Sequence, residues 1–256
     1  MPASSATSAE WRRHPAYGAG PPVELTVGDR PCTRLVVVAA HPDDESLGAG
    51  GLIATAAATG VAVYGVRLTA VEASPYATPG KTRHALATLR LAEMENALAR
   101  LAPDNFLVFL GAPDGQVGKS EEQIARSLAD LVGDGCQTII AAPWRHDGQD
   151  DHEAAGRAAA EAAALSGARL LEYTLLAWTT SAPEDLPWGQ VRCLDLTDQL
   201  QDQKAAAIRA HVSQVRPTGA HAGGGAPLPG RVLAHFHTDV EHFVEAPAPQ
   251  ASSAEA

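Results

Sequence analysis

The sequence predicts an α/β fold: a mostly parallel sheet with helices on both faces. Three observations carry that expectation. Short runs rich in apolar and β-branched residues alternate with longer helical stretches. The connections between them are short. The first run, 35–40, is apolar throughout, as a strand covered on both faces is. Residues 35–40 (LVVVAA) make the first strand and the Ala-rich residues 51–59 a helix. Residues 61–68 make a second strand. Residues 82–101 make a long helix, with Leu86, Leu89, Met94, Leu98 and Leu101 near helical spacing and Pro103 as its stop. Residues 106–110 form a third strand ended by Gly111. Ser120 opens a helix to Val132, with Gln123 completing a capping box. Residues 138–142 and 151–165 give the fourth strand and the next helix. After Leu170 the pattern predicts a strand to Ala177, another over 191–194 and a helix from Thr197 to about Val212. The Gly/Pro-rich stretch 216–230 is either a lid or a connector.

Residues 1–30 are rich in Ser, Ala, Pro and Gly and lack the apolar core of a signal peptide. They are expected to be a loosely ordered tail, and residues 246–256 a second one, flanking a single domain over 31–245 of a cytoplasmic protein. A chain of 256 residues that is 45% hydrophobic and 19% charged is that of a soluble globular protein, with no apolar run long enough for a membrane span. Nineteen Lys and Arg against 30 Asp and Glu leave a net charge of −11, which argues against nucleic acid as a partner. A small molecule is the expected partner, and a homo-oligomer is compatible with the sequence. Cys32, Cys136 and Cys193 are odd in number and form no CxxC pair, so they read as small buried residues in a reducing compartment.

Two clusters carry chemistry. His41-Pro42-Asp43-Asp44-Glu45 follows the first strand, and a run from Pro143 to Glu153 with His146, Gln149, Asp151 and His152 follows the fourth. In an open parallel sheet both loops leave the same carboxyl edge, where ligands bind. Two acid-and-histidine clusters about 100 residues apart are therefore expected to face each other. Two imidazoles and a carboxylate, with a fourth position open, are the makings of a catalytic zinc site, and ferrous iron accepts the same ligands. A neighbouring carboxylate can take the proton of a metal-bound water. Read alone, His-Pro-Asp-Asp is equally a turn leading into a helix cap.

The same residues resemble a family. Ala40-His-Pro-Asp-Asp-Glu45 is similar to the hallmark box of the PIG-L/LmbE-like metal-dependent de-N-acetylases. The resemblance extends through Arg90-Leu-Ala-Glu93, Leu110-Gly-Ala-Pro-Asp114-Gly, Asp151-His152 and the stretch from Lys204 to Gln214. It implies a Rossmann-like fold and one zinc held by His41, Asp44 and His152, with Asp43 as general base. It further implies Arg90 and Asp114 as substrate-binding residues, and an N-acetyl amino-sugar conjugate as substrate. Two positions depart from the family pattern. Gln149 stands where members carry a histidine that stabilises the oxyanion, and Thr69-Ala-Val-Glu72 replaces Thr-Asp-Gly-Glu. A deacylase for a larger antibiotic or glycolipid acyl group, or a non-catalytic carbohydrate-binding protein, are the alternatives that these departures keep open.

Several residues carry two readings. His146 is either a solvated loop histidine or a substitute for the missing oxyanion histidine. Glu45 and Asp151 either orient ligand imidazoles or are ordinary helix-start carboxylates. Arg90 and Glu93, one helical turn apart, can equally be a surface ion pair. His235 and His237 fall on one face of an expected strand, where nothing else completes a metal site. Gly48-Ala-Gly-Gly51 fails as a dinucleotide fingerprint, because Ile53 occupies the third glycine position.

Overall fold

The chain enters its sheet only after a packed N-terminal strip. The computed structural model describes residues 6–70, 83–216 and 228–245. Helix α1 (Ser8–Arg13) is closed by a capping box between Thr7 and Glu10. The two short antiparallel strands β1 (Thr26–Val27) and β2 (Arg30–Pro31) follow. The stretch expected to be a loose tail is thus built into the fold from residue 6 onward. Trp11 is the reason, with 1% of its surface exposed. Its indole N–H donates to the Trp178 carbonyl at 2.8 Å and its ring meets that of Trp178 edge-on, 4.7 Å between centroids. Composition alone conceals such an anchor, since one large aromatic outweighs many small residues in buried area.

Strand β3 (Arg34–Ala39) then begins the sheet, and α2 (Asp44–Ala58) leads to β4 (Ala62–Arg67). Helix α3 (Arg83–Leu101) connects to β5 (Phe106–Phe109), and α4 (Glu121–Val132) to β6 (Thr138–Pro143). Helix α5 (Asp150–Ser166) leads to β7 (Arg169–Tyr173). The remainder comprises α6 (Ala177–Thr180), β8 (Val191–Asp195), α7 (Asp198–Ala210), α8 (Val212–Val215), α9 (Gly230–Leu233) and β9 (Val240–Val244). Among the described residues the main sheet has seven strands in the order β5-β4-β3-β6-β7-β9-β8. The first five are parallel; β9 is antiparallel to both its neighbours.

Side chains alternate across a strand, and β3 shows what that achieves. Leu35, Val37 and Ala39 enter a core with residues of α2, α3 and α7. Val36 and Val38 enter a second core with α4 and α5. Strand order runs outward from β3 in one direction through β4 and in the other through β6. The loops leaving β3 and β6 consequently diverge, and a crevice opens between them at the carboxyl edge.

Several sequence expectations are corrected. Helix α2 begins at Asp44, well before Gly51, and breaks at Ala49, whose φ of −136° is not helical. Its glycines serve close packing. A Cβ on Gly48 would lie 2.1 Å from the Tyr173 ring, and one on Gly51 would lie 2.3 Å from Leu196. Ser120 makes no side-chain cap, because a 3-10 turn (Val117–Ser120) already leads into α4. The strand expected to reach Ala177 ends at Tyr173. His235 and His237 lie in a turn after α9, not on a strand. Strand β9 itself is hidden in the sequence by Glu241 and His242. Glu241 is buried because it pairs with Lys204 at 2.8 Å and accepts the Gly51 and Leu52 backbone N–H groups. The tails at 1–5 and 246–256, most of the 216–230 stretch and the departing residues Val71 and Glu72 lie outside the described residues. No helix among the described residues is long and apolar enough to cross a membrane.

His242 is held neutral by its surroundings. It packs among Tyr17, Trp178 and Trp188, and its Nε2 accepts the Gly18 N–H at 3.3 Å. Burial first, and Lys204 second, lower its pKa from 6.5 to about 4. The unfolded chain therefore binds a proton in that window that the folded chain refuses, and stability is lost as pH falls from 6.5 toward 4. The expected loss is of order 3 kcal/mol. Urea unfolding at pH 7 and pH 4.5 should show this loss reduced in His242→Gln; an equal loss in both proteins would remove His242 as its source.

Candidate active site

The crevice is floored by the two loops that sequence placed there. The β3–α2 loop turns sharply at Asp43, whose φ of 118° is unusual for any residue but glycine. That turn brings His41, Asp43 and Asp44 to the crevice from within four consecutive residues. From the other side, α5 presents Asp151 and His152 in its first turn. The loop before it is tied down by Arg145, which donates through Nε and Nη2 to the buried Glu172 carboxylate, both at 2.8 Å.

His41 Nδ1 stands 3.3 Å from His152 Nε2, and His152 Nε2 stands 3.4 Å from Asp44 Oδ1. His41 Nδ1 is 3.8 Å from the other Asp44 oxygen, which also accepts the His41 backbone N–H at 2.8 Å. Each imidazole is backed by carboxylates. His152 Nδ1 faces Asp147 at 2.7 Å, and His41 Nε2 faces Asp151 at 3.3 Å and Asp114 at 3.5 Å. A carboxylate is served by a proton on the nitrogen facing it, so the two remaining nitrogens turn lone pairs toward each other and toward Asp44.

With both imidazoles neutral, acceptor atoms converge with no donor among them, a set that a cation satisfies by taking the place of the protons. Ligand atoms at tetrahedral corners about 2.0–2.1 Å from zinc would be about 3.3–3.4 Å apart, close to the His41 Nδ1–His152 Nε2 and His152 Nε2–Asp44 Oδ1 separations. His41, Asp44 and His152 can therefore hold a metal ion. His41, Asp114 and Asp151 form a second, overlapping group, but there the two carboxylates stand behind the imidazole and Asp151 is occupied. It accepts the Gly115 and Val117 backbone N–H groups at 2.8 and 3.0 Å.

The surrounding carboxylates hold protons on these imidazoles unless a cation replaces them. Burial opposes protonation of both histidines, yet Asp114, Asp151 and Asp44 raise His41 to about 9. Asp44 and Asp147 raise His152 to about 10. Asp44 is held below the usual carboxylate range, against its burial, by His152 and His41. Asp43 goes the other way: burial and the neighbouring Asp44 charge push it up to about 7. Two adjacent carboxylates are thereby set apart, one toward charge and one toward taking a proton.

The remaining residues distribute unevenly. Asp151 faces the His41 imidazole at 3.3 Å and also lies in the first turn of α5, so both of its readings describe where it stands. Glu45 does not reach the imidazole of His41 or of His152; it accepts the Asp43 backbone N–H at 3.1 Å and also contacts Ser46 and His211. Asp114 meets His41. Arg90 and Glu93 are buried, so they are no surface pair. Gln149 caps α5, its Oε1 accepting the His152 N–H at 2.7 Å, which leaves the amide NH₂ as its free donor. His146 is exposed, with its ring against Trp144. Asp147 had no distinguishing mark among the acids of its loop. Its role comes from the fold, because it is wholly buried and accepts the Leu175, Leu176 and Ala177 N–H groups.

Comparison with known proteins places this geometry in context. The sequence profile of the family described as GlcNAc-PI de-N-acetylase, PIG-L, matches residues 36–163. No curated protein sequence matches this chain. Among solved structures, the conserved protein TT1542 from Thermus thermophilus is 26% identical, with a TM-score of 0.57 over 87% of this chain and 99% of that one. N,N'-diacetylchitobiose deacetylase from Pyrococcus horikoshii is 21% identical, with a TM-score of 0.58 over 75% and 73% of the two chains. The zinc-inhibited form of teicoplanin deacetylase Orf2 is 20% identical, with a TM-score of 0.59 over 72% and 85%. At these identities the last two likenesses are of fold.

Proposed function

The chain belongs to the PIG-L family of GlcNAc-PI de-N-acetylases, and on that premise we propose that it hydrolyses the N-acetyl, or a related N-acyl, amide of a small amino-sugar conjugate with the help of one zinc ion. The observation that carries this reading is the acceptor set of His41, Asp44 and His152 beside a separate buried carboxylate, Asp43. A pure binding protein has no use for that second carboxylate. The deacetylases named among the similar folds point to the same class of bond.

When bound, zinc supplies a water of lowered pKa and polarises the amide carbonyl. Asp43 takes the proton of the attacking water as its oxygen bonds to the carbonyl carbon. It then returns that proton to the nitrogen as the C–N bond breaks, so amide and water become carboxylate and amine. Asp147 and Asp151 keep the two imidazoles turned to the crevice. Gln149, through its NH₂, donates to the carbonyl oxygen as negative charge builds there. Asp114, beside His41, and Arg90, joined to the site through Gln214, are the substrate-binding candidates that the family resemblance implies.

The test is release of acetate from a panel of N-acetylglucosaminyl conjugates by zinc-loaded protein. Acetate and free amine in equal amounts are expected. Saturable sugar binding without acetate would overturn the reading in favour of a binding protein, and release only from longer acyl chains would move it to a deacylase.

Gln149 tests the oxyanion assignment. Gln149→Ala removes both the cap and the donor, and turnover is expected to fall about 10²-fold or more. Gln149→His restores a donor that can carry charge and should retain at least the parental turnover. Turnover of Gln149→Ala equal to the parent would turn attention to His146.

A further inference from the structure

We propose that Gln214 is a positioning residue for Asp43, and that its side-chain amide decides which oxygen of that carboxylate is left to take a proton. The inference rests on the hydrolytic reading given above and extends it to a residue outside the stretch matched by the family profile. Gln214 Nε2 donates to Asp43 Oδ2 at 3.2 Å, and Gln214 Oε1 accepts from Arg90 Nη2 at 2.9 Å.

Chemistry permits only this orientation of the amide. A guanidinium can only donate and a carboxylate, once ionised, can only accept. The oxygen must face Arg90 and the NH₂ must face Asp43. A flipped amide would set two donors against each other at one end and two acceptors at the other. The bridge is also dry, since Gln214, Asp43 and Arg90 are all buried.

The segment that carries Gln214 is fixed by the same helix that supplies Arg90. Glu93, one turn further along α3, accepts the Ser213 backbone N–H at 2.8 Å and its hydroxyl at 2.7 Å. The Gln214 backbone N–H donates to the His211 carbonyl at 2.9 Å, and the His211 ring contacts Glu45 and Ser46 at 3.1 Å. Glu45 in turn holds the Asp43 backbone N–H. Asp43 is therefore gripped twice, by Glu45 at its main chain and by Gln214 at its side chain. Both grips trace to the 211–214 strip. With Oδ2 engaged by Gln214, Oδ1 is the atom free to accept the proton of water.

A double-mutant cycle on turnover tests this. Gln214→Met keeps an unbranched side chain of similar length but removes both hydrogen bonds. It is expected to lower kcat about 10–100-fold, the scale of a misplaced catalytic group, with KM within about twofold and bound metal unchanged. Gln214→Glu keeps the acceptor for Arg90 but sets a carboxylate against Asp43, and should lower kcat at least as far. In an Asp43→Asn background, Gln214→Met should cost less than about twofold, because a residue that acts through Asp43 has nothing left to act on. The same fold-loss in both backgrounds, or a loss carried by KM or by metal content, would overturn the proposal.

Crystal structures of the parent and of Gln214→Met give a readout free of activity. The Asp43 carboxylate should rotate in the variant, and an unmoved carboxylate would also overturn the proposal. If the parent releases no acetate from any conjugate, the hydrolytic reading fails while this structural comparison still decides the role of Gln214.

Discussion

Asp43→Asn is expected to keep its full complement of metal while losing about 10²–10⁴-fold in turnover, the usual share of a positioned general base. Asparagine is a suitable probe for two reasons. It is nearly isosteric, and it is among the few residues that tolerate a positive φ, so the turn at Asp43 survives. The amide cannot accept a proton at the pH of the assay. Asp44→Asn should behave in the opposite way, weakening metal binding, because Asp44 faces His152 and His41. Elemental analysis and turnover measured on both variants separate the two neighbours. Metal lost from Asp43→Asn and kept by Asp44→Asn would exchange their roles.

His152→Ala and His41→Ala should each take the protein from about one bound divalent ion to essentially none after dialysis, with activity lost in parallel. Both residues belong to a set whose remaining members are too few to hold a catalytic ion. Asp147→Asn is the graded control. It leaves every ligand in place but weakens the partner that orients His152, and about a 10–100-fold loss of affinity is expected. Undiminished metal in both histidine variants would remove the site.

Much of this arrangement was legible before any coordinates. The apolar runs at 35–40 and 138–142 sit within one residue of β3 and β6, and their loops meet as the sheet rule requires. His41, Asp44 and His152 stood out as candidates because His and Asp at such density suit a metal ion, and the fold brings the three together. The missing parts share a physical cause. Asp147 and Gln214 are common polar residues whose partners only the fold supplies, and Glu45, a candidate from sequence, meets the Asp43 N–H and His211 in place of a crevice imidazole. Gln214 reaches Asp43 across 171 positions of sequence. Likewise β9 could not be read as a buried strand, because Glu241 becomes compatible with burial only once Lys204 and the broken end of α2 are beside it. Trp11 failed to stand out for a different reason: its binding surface is made of Trp178 and Trp188, both far along the chain.

The place of β9 has a consequence for how the molecule is made. It is the last strand of the described chain, yet it lies inside the sheet, between β7 and β8. Strand β8 pairs with β9 and not with β7, so it has no berth until residues 240–244 leave the ribosome. The N-terminal strip waits as well, since the Val23 N–H donates to the Cys193 carbonyl, the Cys193 N–H donates to the Pro21 carbonyl, and Trp11 stands in the aromatic group around His242. Residues 11–23 thus depend for their seating on partners some 170 positions later in the chain. A premature stop shortly before Val240 would forfeit far more than five residues: it would cast loose β8 and the N-terminal strip together, while leaving every metal ligand in the sequence. Long-range closures of this kind slow folding and leave unpaired strand edges open to aggregation until they are complete.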